Sequence, residues 1–174
     1  MRRLQVLMMV TVFMCVTNWL SLRVRASQPA GIQVEMATAN AGPREVEDTT
    51  QTAIIRDYSA AWKAMEASLD SNQDDGLGAA FTGNALQQIH ERMVQQKKAG
   101  LHTRFVDRGH KLDAVFYSPE GSAMQLHDTA QLEIETLDGE RVLHSENATL
   151  HYVTLMTVAE DRWKVRQLQG ASSF

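Results

Sequence analysis

The chain has 174 residues, and 44% of them are hydrophobic, which is enough for one domain with its own core. Its formal net charge is −4. Four of the 17 basic residues and none of the 21 acidic residues lie in residues 1–26. The rest of the chain therefore carries 13 basic and 21 acidic side chains. This acidic balance excludes nucleic acid as an expected partner, because phosphate binding needs clustered Lys and Arg.

Residues 1–26 have the pattern of a secretory signal peptide. A basic start precedes an apolar run at residues 6–22, and Val24 and Ala26 supply the small residues before a cleavage point at Ser27. The alternative is an uncleaved membrane anchor, although the run is short for the ~20 apolar residues of a membrane span. Either form predicts an exported protein, located in the periplasm or cell envelope or secreted, with membrane contact only through the uncleaved run.

Residues 27–47 predict a flexible linker. The stretch contains Pro29, Pro43, two glycines and scattered small residues, with few large apolar groups. Such a composition cannot bury enough surface to offset the entropy lost on ordering. The folded domain is therefore expected to span residues 48–174.

The first half of this domain predicts two to three helices. Thr49 or Thr50 can cap the first helix, whose apolar residues recur at i, i+3, i+4 and i+7 over about five turns. This stripe consists of Ile54, Ile55, Tyr58, Ala61, Trp62, Met65 and Leu69. A single helical turn follows, and the next helix starts at a capping box of Asn84 and Gln87 and ends at Gly100.

The second half alternates apolar and polar residues, which predicts antiparallel strands with one buried face. The apolar positions are His110, Leu112, Ala114, Phe116, Met124, Leu126, Ala130, Leu132, Ile134, Ala148, Leu150, Tyr152, Met156, Trp163 and Val165. The fold class is therefore α+β, with two to three N-terminal helices packed on a curved four-stranded antiparallel sheet.

The turns fix the predicted register of this sheet. Three-residue loops are predicted for the first two hairpins, because they keep the even-numbered face buried on both strands. A two-residue turn at Asp138-Gly139 is rejected because it would set apolar against polar faces, whereas Glu160-Asp161 predicts a two-residue turn. The predicted pairs are Phe116 with Met124, Leu112 with Asp128, Asp128 with Ala148, Met124 with Tyr152, Val158 with Trp163 and Met156 with Val165.

Three segments carry a family resemblance. They are the opening helix IRDYSAAW at residues 55–62, the segment AFTG at residues 80–83, and the final turn and strand EDRWKV at residues 160–165. Over roughly residues 49–169 the chain resembles the nuclear transport factor 2-like superfamily, also called SnoaL-like or cystatin-like. The resemblance implies a cone-like roll of helices over a curved sheet that often encloses a pocket. Because members range from isomerases and dehydratases to binding or dimerising modules, it implies fold far more than function.

Asp128 is the leading candidate for a functional residue. It interrupts the apolar even-numbered series, and a carboxylate that faces a core is costly unless it is paired or hydrated. We expect it to line a ligand pocket with His110 on the neighbouring strand, Tyr152 farther along the face, and Tyr58 on the first helix. An apolar wall would raise the pKa of such a group and suit it to acid–base chemistry. The alternative interpretation places Asp128 at a bulge or at the wet end of the sheet.

No sequence motif assigns a catalytic residue, a metal or a cofactor. The six histidines are dispersed without the spacing of a helical metal motif, and the single cysteine, Cys15, rules out a disulfide framework. No Gly-x-Ser-x-Gly elbow or phosphate-binding glycine loop occurs. A non-enzymatic protein is therefore expected ahead of an enzyme.

Three functions remain open, of which the last is a structural subunit tethered by an uncleaved N-terminus. The first is an exported, non-enzymatic module of the cell envelope that binds a small apolar ligand or a protein partner. The second is a small pocket enzyme of the isomerase, dehydratase or hydrolase type that uses Asp128 with His110 or a tyrosine. A deep cavity with Asp128 at its base would favour the enzyme, and a solvent-exposed or paired Asp128 would rule it out. A homodimer through the outer sheet face is also predicted, from Val153 and Leu155.

Overall fold

The computed structural model describes residues 31–74 and 76–174, so the predicted signal peptide and its cleavage point lie outside the described residues. The elements are β1 (Val34–Ala37), α1 (Asp48–Ser71), α2 (Leu77–Ala80), α3 (Gly83–Ala99), β2 (His102–Tyr117), β3 (Ala123–Asp138), β4 (Arg141–Ala159) and β5 (Arg162–Ala171). Among the described residues, no helix has both the length and the apolar character needed to cross a membrane.

The predicted α+β class is confirmed, with five strands in the sheet instead of four. The strands lie side by side in chain order, and β2 to β5 form an antiparallel meander. The additional strand, β1, pairs parallel with β2. The helices pack against the even-numbered face of the curved sheet, so the core lies between these two layers.

Strand β1 falls within residues 27–47, where the sequence predicted a flexible linker. Val34 pairs with His110 and Met36 with Leu112, and both β1 side chains pack against the core. The Gln51 side chain also donates a hydrogen bond to the Met36 carbonyl at 2.9 Å. Four residues are too few for periodicity to stand out from a Pro- and Gly-containing stretch, and β2 supplies the backbone partners that order them.

Helix α1 carries the predicted apolar stripe. It begins slightly before the predicted threonine caps, with Glu47 at its N-cap, and ends at Asn72 in a left-handed conformation. The buried apolar residues are Ile54, Tyr58, Ala61, Trp62, Met65 and Leu69, whereas Ile55 is half-buried. Asp57 anchors the same helix to β5, because its Oδ2 accepts a hydrogen bond from the Trp163 backbone N–H at 3.0 Å.

Helix α3 ends as predicted and begins differently. Gly100 closes it with φ of 70° and donates its N–H to carbonyls of the last turn. The predicted capping box of Asn84 and Gln87 does not form. The N-cap is Thr82, and the Gln87 amide instead donates to Glu91 Oε1, one turn along the helix, at 2.8 Å.

The first and third hairpins largely follow the predicted register. Leu112 pairs with Asp128, and both predicted pairs between β4 and β5 are present. The pairing of Phe116 with Met124 was wrong, because a bulge after Ala114 turns Tyr117 inward to face Met124. Phe116 is left 40% exposed.

The second hairpin differs from the prediction by four residues. Asp138 pairs with Arg141 across a two-residue turn, and Leu143 is an extra, bulged residue on β4 that restores the parity of the faces. The predicted pairs of Asp128 with Ala148 and Met124 with Tyr152 were therefore wrong. Asp128 instead faces Tyr152 directly, which brings two of the candidate site residues together.

Candidate functional site

A cluster of buried polar side chains lies between α1 and the sheet. It consists of Tyr58 on α1, Asp107 and His110 on β2, and Asp128 on β3, and is called here the Asp128 cluster. The Tyr58 hydroxyl donates to Asp128 Oδ2 at 2.7 Å. His110 Nδ1 lies 2.8 Å from the same oxygen, and His110 Nε2 lies 2.9 Å from Asp107 Oδ2. His110 and Asp128 are 2% and 0% exposed, so these contacts are shielded from solvent.

A β-bulge brings Asp107 into the cluster. Residues 107 and 110 of a regular strand would face opposite sides of the sheet, since side chains alternate. The register shifts between Asp107 and Gly109, where Gly109 adopts φ of 136° and donates its N–H to Asp107 Oδ1 at 2.7 Å. This irregularity turns Asp107 toward His110. The sequence analysis missed Asp107, and the glycine inside a strand pattern was the signal that could have found it.

His110 is held as an imidazolium. Each ring nitrogen faces a carboxylate oxygen, and ionised carboxylates only accept hydrogen bonds, so both nitrogens must donate. Burial lowers the pKa of His110, but the hydrogen bonds and charges of Asp107 and Asp128 outweigh burial and raise that pKa to about 9. The Trp62 ring lies 4.4 Å from the imidazole, centroid to centroid, and its face favours a cation.

Tyr58 and Asp128 complete the inner side of the cluster. Burial, together with the Asp128 charge, raises the pKa of Tyr58 well above its usual value, so the hydroxyl stays protonated and donates. Asp128 Oδ2 thus receives two donors. Among the described residues, Asp128 Oδ1 and the nearby Thr154 Oγ1 are buried without a hydrogen-bond partner.

Glu66 is a second carboxylate near the cluster that the sequence analysis missed. Burial and the Asp107 charge raise its pKa to about 7, against the opposing charges of His110 and Lys63. Its Oε1 atom is buried without a partner in the described part of the chain. Glu66 follows Trp62 by four residues on α1, so the two side chains lie on the same side of the helix. This spacing was the sequence signal that could have placed Glu66 beside the buried stripe.

A separate cavity of about 140 Å³ lies between α1, α3 and the sheet. Its lining residues are Met65, Leu69, Ala85, Gln88, Ile89, Arg92, Phe105, Tyr152 and Leu168. Of the four candidate pocket residues, Tyr152 is the one that lines this cavity, whereas Tyr58, His110 and Asp128 meet in the Asp128 cluster. Trp62 contacts both groups, with its ring centroid 4.4 Å from that of His110 and 5.7 Å from that of Tyr152.

Comparisons with known proteins identify the fold and give no closer relative. No family model matches the sequence, and no curated protein matches it. The intermembrane space region of the chloroplast protein ARC6 is similar at 17% identity and a TM-score of 0.60, over 75% of this chain and 100% of that chain. A putative dehydratase of the NTF2-like family from Streptomyces avermitilis is similar at 9% identity and a TM-score of 0.44, over 69% and 96% of the two chains. Aln2 from another Streptomyces strain is similar at 12% identity and a TM-score of 0.48, over 71% and 90%.

The chain shares its fold with the intermembrane space region of ARC6. The helices-then-sheet order and the curved, open sheet agree with the cone-like roll that the family resemblance implied. At these low identities the similarity shows the fold alone and carries no argument about activity.

The geometry does not favour acid–base catalysis by Asp128. A general acid or base must lie within hydrogen-bond reach of its substrate. Asp128 Oδ2 is occupied by Tyr58 and His110, and neither Asp128 nor His110 lines the cavity under α3. Among the described residues, no group of three or more His, Cys, Asp or Glu side chains could hold a metal ion. The Asp128 cluster is therefore best described as a paired, charged element of the core.

Proposed function

We propose that this domain is a non-catalytic binding module that holds a small apolar ligand with an anionic group in the cavity under α3. The observation that carries the proposal is the position of Arg92. This residue lines a mostly apolar cavity, and its guanidinium carbon lies 5.8 Å from the centroid of the Phe105 ring, another lining residue. No carboxylate among residues 31–74 and 76–174 is within ion-pair distance of Arg92, so its charge is available to a ligand.

The size of the cavity limits the ligand to a small molecule. An engineered apolar cavity of about 150 Å³ in another protein binds benzene, and the volume here is similar, about 140 Å³. Met65, Leu69 and Ile89 supply apolar contact, while Gln88 and Tyr152 add a few polar groups that can orient a ligand. A six-membered ring bearing one carboxylate fits this combination of volume and charge.

Benzoate and its uncharged analogue benzamide test the proposal. We expect millimolar benzoate to raise the melting temperature of the full chain more than benzamide does, because only benzoate pairs with Arg92. The variant Arg92→Gln should remove the difference, whereas Lys98→Gln, an exposed change on the same helix that does not line the cavity, should keep it. No response to either compound, or an unchanged benzoate preference in Arg92→Gln, would contradict the proposal.

Export is part of the proposed function. The support is the basic start, apolar run and small-residue ending of residues 1–26. Expression of the full chain in a host with a secretory pathway, followed by intact-mass measurement of each cell fraction, tests this step. A product that begins at Ser27 outside the cytoplasm supports a cleaved signal peptide, and an intact chain in the membrane fraction supports an anchor. An intact chain in the cytoplasm would contradict export.

A further inference from the structure

Strand β4 has an open edge along half of its length. β5 pairs with β4 only from His151 to Ala159, and no strand in the described part of the chain pairs with the outer edge of residues 141–150. Residues 141–147 are all exposed. An open edge of this kind presents a row of unpaired N–H and C=O groups, which is a template for another strand.

The backbone geometry identifies the residues that point outward from this edge. Val158 donates its N–H to Ser122 at 2.9 Å, and the register between β3 and β4 is unbroken from this point to His144. Hydrogen-bonded residues alternate along an antiparallel pair, so the even-numbered residues of β4 bond to β3. The residues whose backbone groups face the open edge are Ser145, Asn147 and Thr149.

We propose that this edge pairs antiparallel with the same edge of a second copy of the chain. The two-fold axis passes midway between the Ser145 residues of the two copies, which lie opposite each other. A two-fold axis perpendicular to the sheet keeps the helix-covered face of one copy continuous with that of the other. From His144 onward, two residues that lie opposite each other must then both have even numbers or both have odd numbers. Such a contact uses one surface twice, as closed homodimers do.

The end of β5 limits the possible registers. His151 is already paired with Ala171, so the first residue of the second copy's β4, Arg141, can pair no farther along than Leu150. Because the extra residue Leu143 reverses the alternation, equal parity applies only from His144 onward, and a register with Ser145 opposite itself keeps the second strand short of this limit.

Charge favours the same register. Each His144 lies opposite Glu146 of the second copy, and the two side chains are exposed and already lie 3.7 Å apart within one chain. A register shifted by one residue on each strand would set Glu146 opposite Glu146 of the second copy. Like charges directly opposite each other destabilise a strand pair.

The outer sheet face offers a less open surface for dimerisation. Phe174 stacks on His127 at a centroid distance of 4.2 Å and meets His151 edge-on at 5.2 Å. His127 is the cross-strand partner of Val153, which is one of the two residues that suggested a dimer through this face. Phe174 therefore covers part of that face, whereas the described residues leave the β4 edge at residues 141–150 uncovered.

Two substitutions at Ser145 separate edge pairing from other association. Both Ser145→Pro and Ser145→Ala remove the hydroxyl that donates to Glu133 at 3.1 Å, but Ser145→Pro also removes the outward N–H. Proline is tolerated on a strand edge when its missing N–H would face solvent, so the fold should survive, as circular dichroism would show. Both variants keep residues 1–30, so any association through that segment is common to them.

Sedimentation equilibrium of the full chain then measures the effect. We expect the original chain and Ser145→Ala to dimerise reversibly. Ser145→Pro should raise the dimer dissociation constant at least about tenfold, because it removes the two backbone hydrogen bonds that the facing Ser145 residues exchange. Identical sedimentation of the two variants, whether as monomers or as dimers, would overturn the proposal.

A charge exchange tests the register. His144→Glu sets two carboxylates opposite each other across the dimer and should weaken it. Adding Glu146→Lys to His144→Glu restores opposite charges and should restore dimerisation. If the double variant associates as weakly as His144→Glu alone, Ser145 does not lie on the two-fold axis and this register is wrong.

Discussion

The Tyr58 hydroxyl donates a hydrogen bond to Asp128 Oδ2 at 2.7 Å, and this bond joins the first helix to the third strand of the sheet. The same oxygen lies 2.8 Å from His110 on the second strand. One carboxylate oxygen therefore connects three elements inside the core. Because a buried charge without a partner is costly, the packing of α1 on the sheet depends on this arrangement.

Replacing Asp128 should strongly destabilise the fold. We expect Asp128→Ala to lower the free energy of unfolding by about 3–5 kcal/mol, since it leaves the Tyr58 hydroxyl and one nitrogen of the buried imidazolium unpaired. Tyr58→Phe should cost about 1–3 kcal/mol, because it removes one of two donors to the carboxylate. Urea unfolding at neutral pH measures both effects.

Asp138→Ala is the matched control for this measurement. Asp138 also pairs with a cation, Arg141, at 2.7 Å, but that pair lies at an exposed turn. Exposed ion pairs contribute about 0–1 kcal/mol. Equal losses in Asp128→Ala and Asp138→Ala would show that the Asp128 cluster does not stabilise the core.

The sequence predicted the parts of this fold that repeat over many residues. The stripe on α1 and the even-numbered series on β2 to β4 extend over enough positions to identify the buried faces, and with them Tyr58, His110 and Asp128. The register of β3 against β4 was missed because alternation is unchanged when a strand slides by an even number of residues. The position of the turn shifted the register by three residues and the bulge at Leu143 added one, which together made a slide of four.

Local irregularities also hid two members of the site. Asp107 has the wrong parity for a residue on the buried face, and only the bulge before Gly109 turns it toward His110. Glu66 is polar, and its effect depends on a neighbour, Asp107, that lies on another element. Sequence periodicity predicts which face a regular segment buries, but it contains no information about contacts that an irregular backbone creates.

The stability of the fold should fall as the pH rises through about 9. The pKa of His110 is about 9 in the folded chain and close to 6.5 for an ordinary histidine, so the folded state binds this proton more tightly. The resulting stabilisation, on the order of 3 kcal/mol, is fully present below pH about 6.5 and is lost as the pH rises through about 9. Urea unfolding at a series of pH values measures this loss.

His110→Gln should remove that pH dependence, although it also lowers the stability at every pH. The exposed His144 serves as the control, and His144→Gln should leave the dependence in place. A stability profile for the original chain that is flat between pH 7 and 10, at the scale of ~1 kcal/mol, would show that His110 is not held as a cation.

Glu66 should add a second fall in stability at lower pH. Burial and the Asp107 charge raise its folded pKa to about 7, from about 4.5, so the folded state favours the protonated carboxyl. A raised pKa of an acid means that stability is highest below pH about 4.5 and decreases as the pH rises toward 7. Glu66→Gln imitates the protonated form and should flatten this part of the profile. The control Glu140→Gln, at an exposed position, should not, and equal slopes in the two variants would contradict the prediction.

Filling the cavity under α3 should abolish ligand binding without unfolding the domain. Ala85 is buried and lines the cavity, so Ala85→Leu adds three carbon atoms to a space of about 140 Å³. Because an over-filled site costs about 1–3 kcal/mol, the domain should stay folded while the benzoate-induced rise in melting temperature disappears. Ala67→Leu adds the same atoms on the exposed side of α1 and should leave the benzoate effect intact. An undiminished benzoate response in Ala85→Leu would place the binding site elsewhere on the molecule.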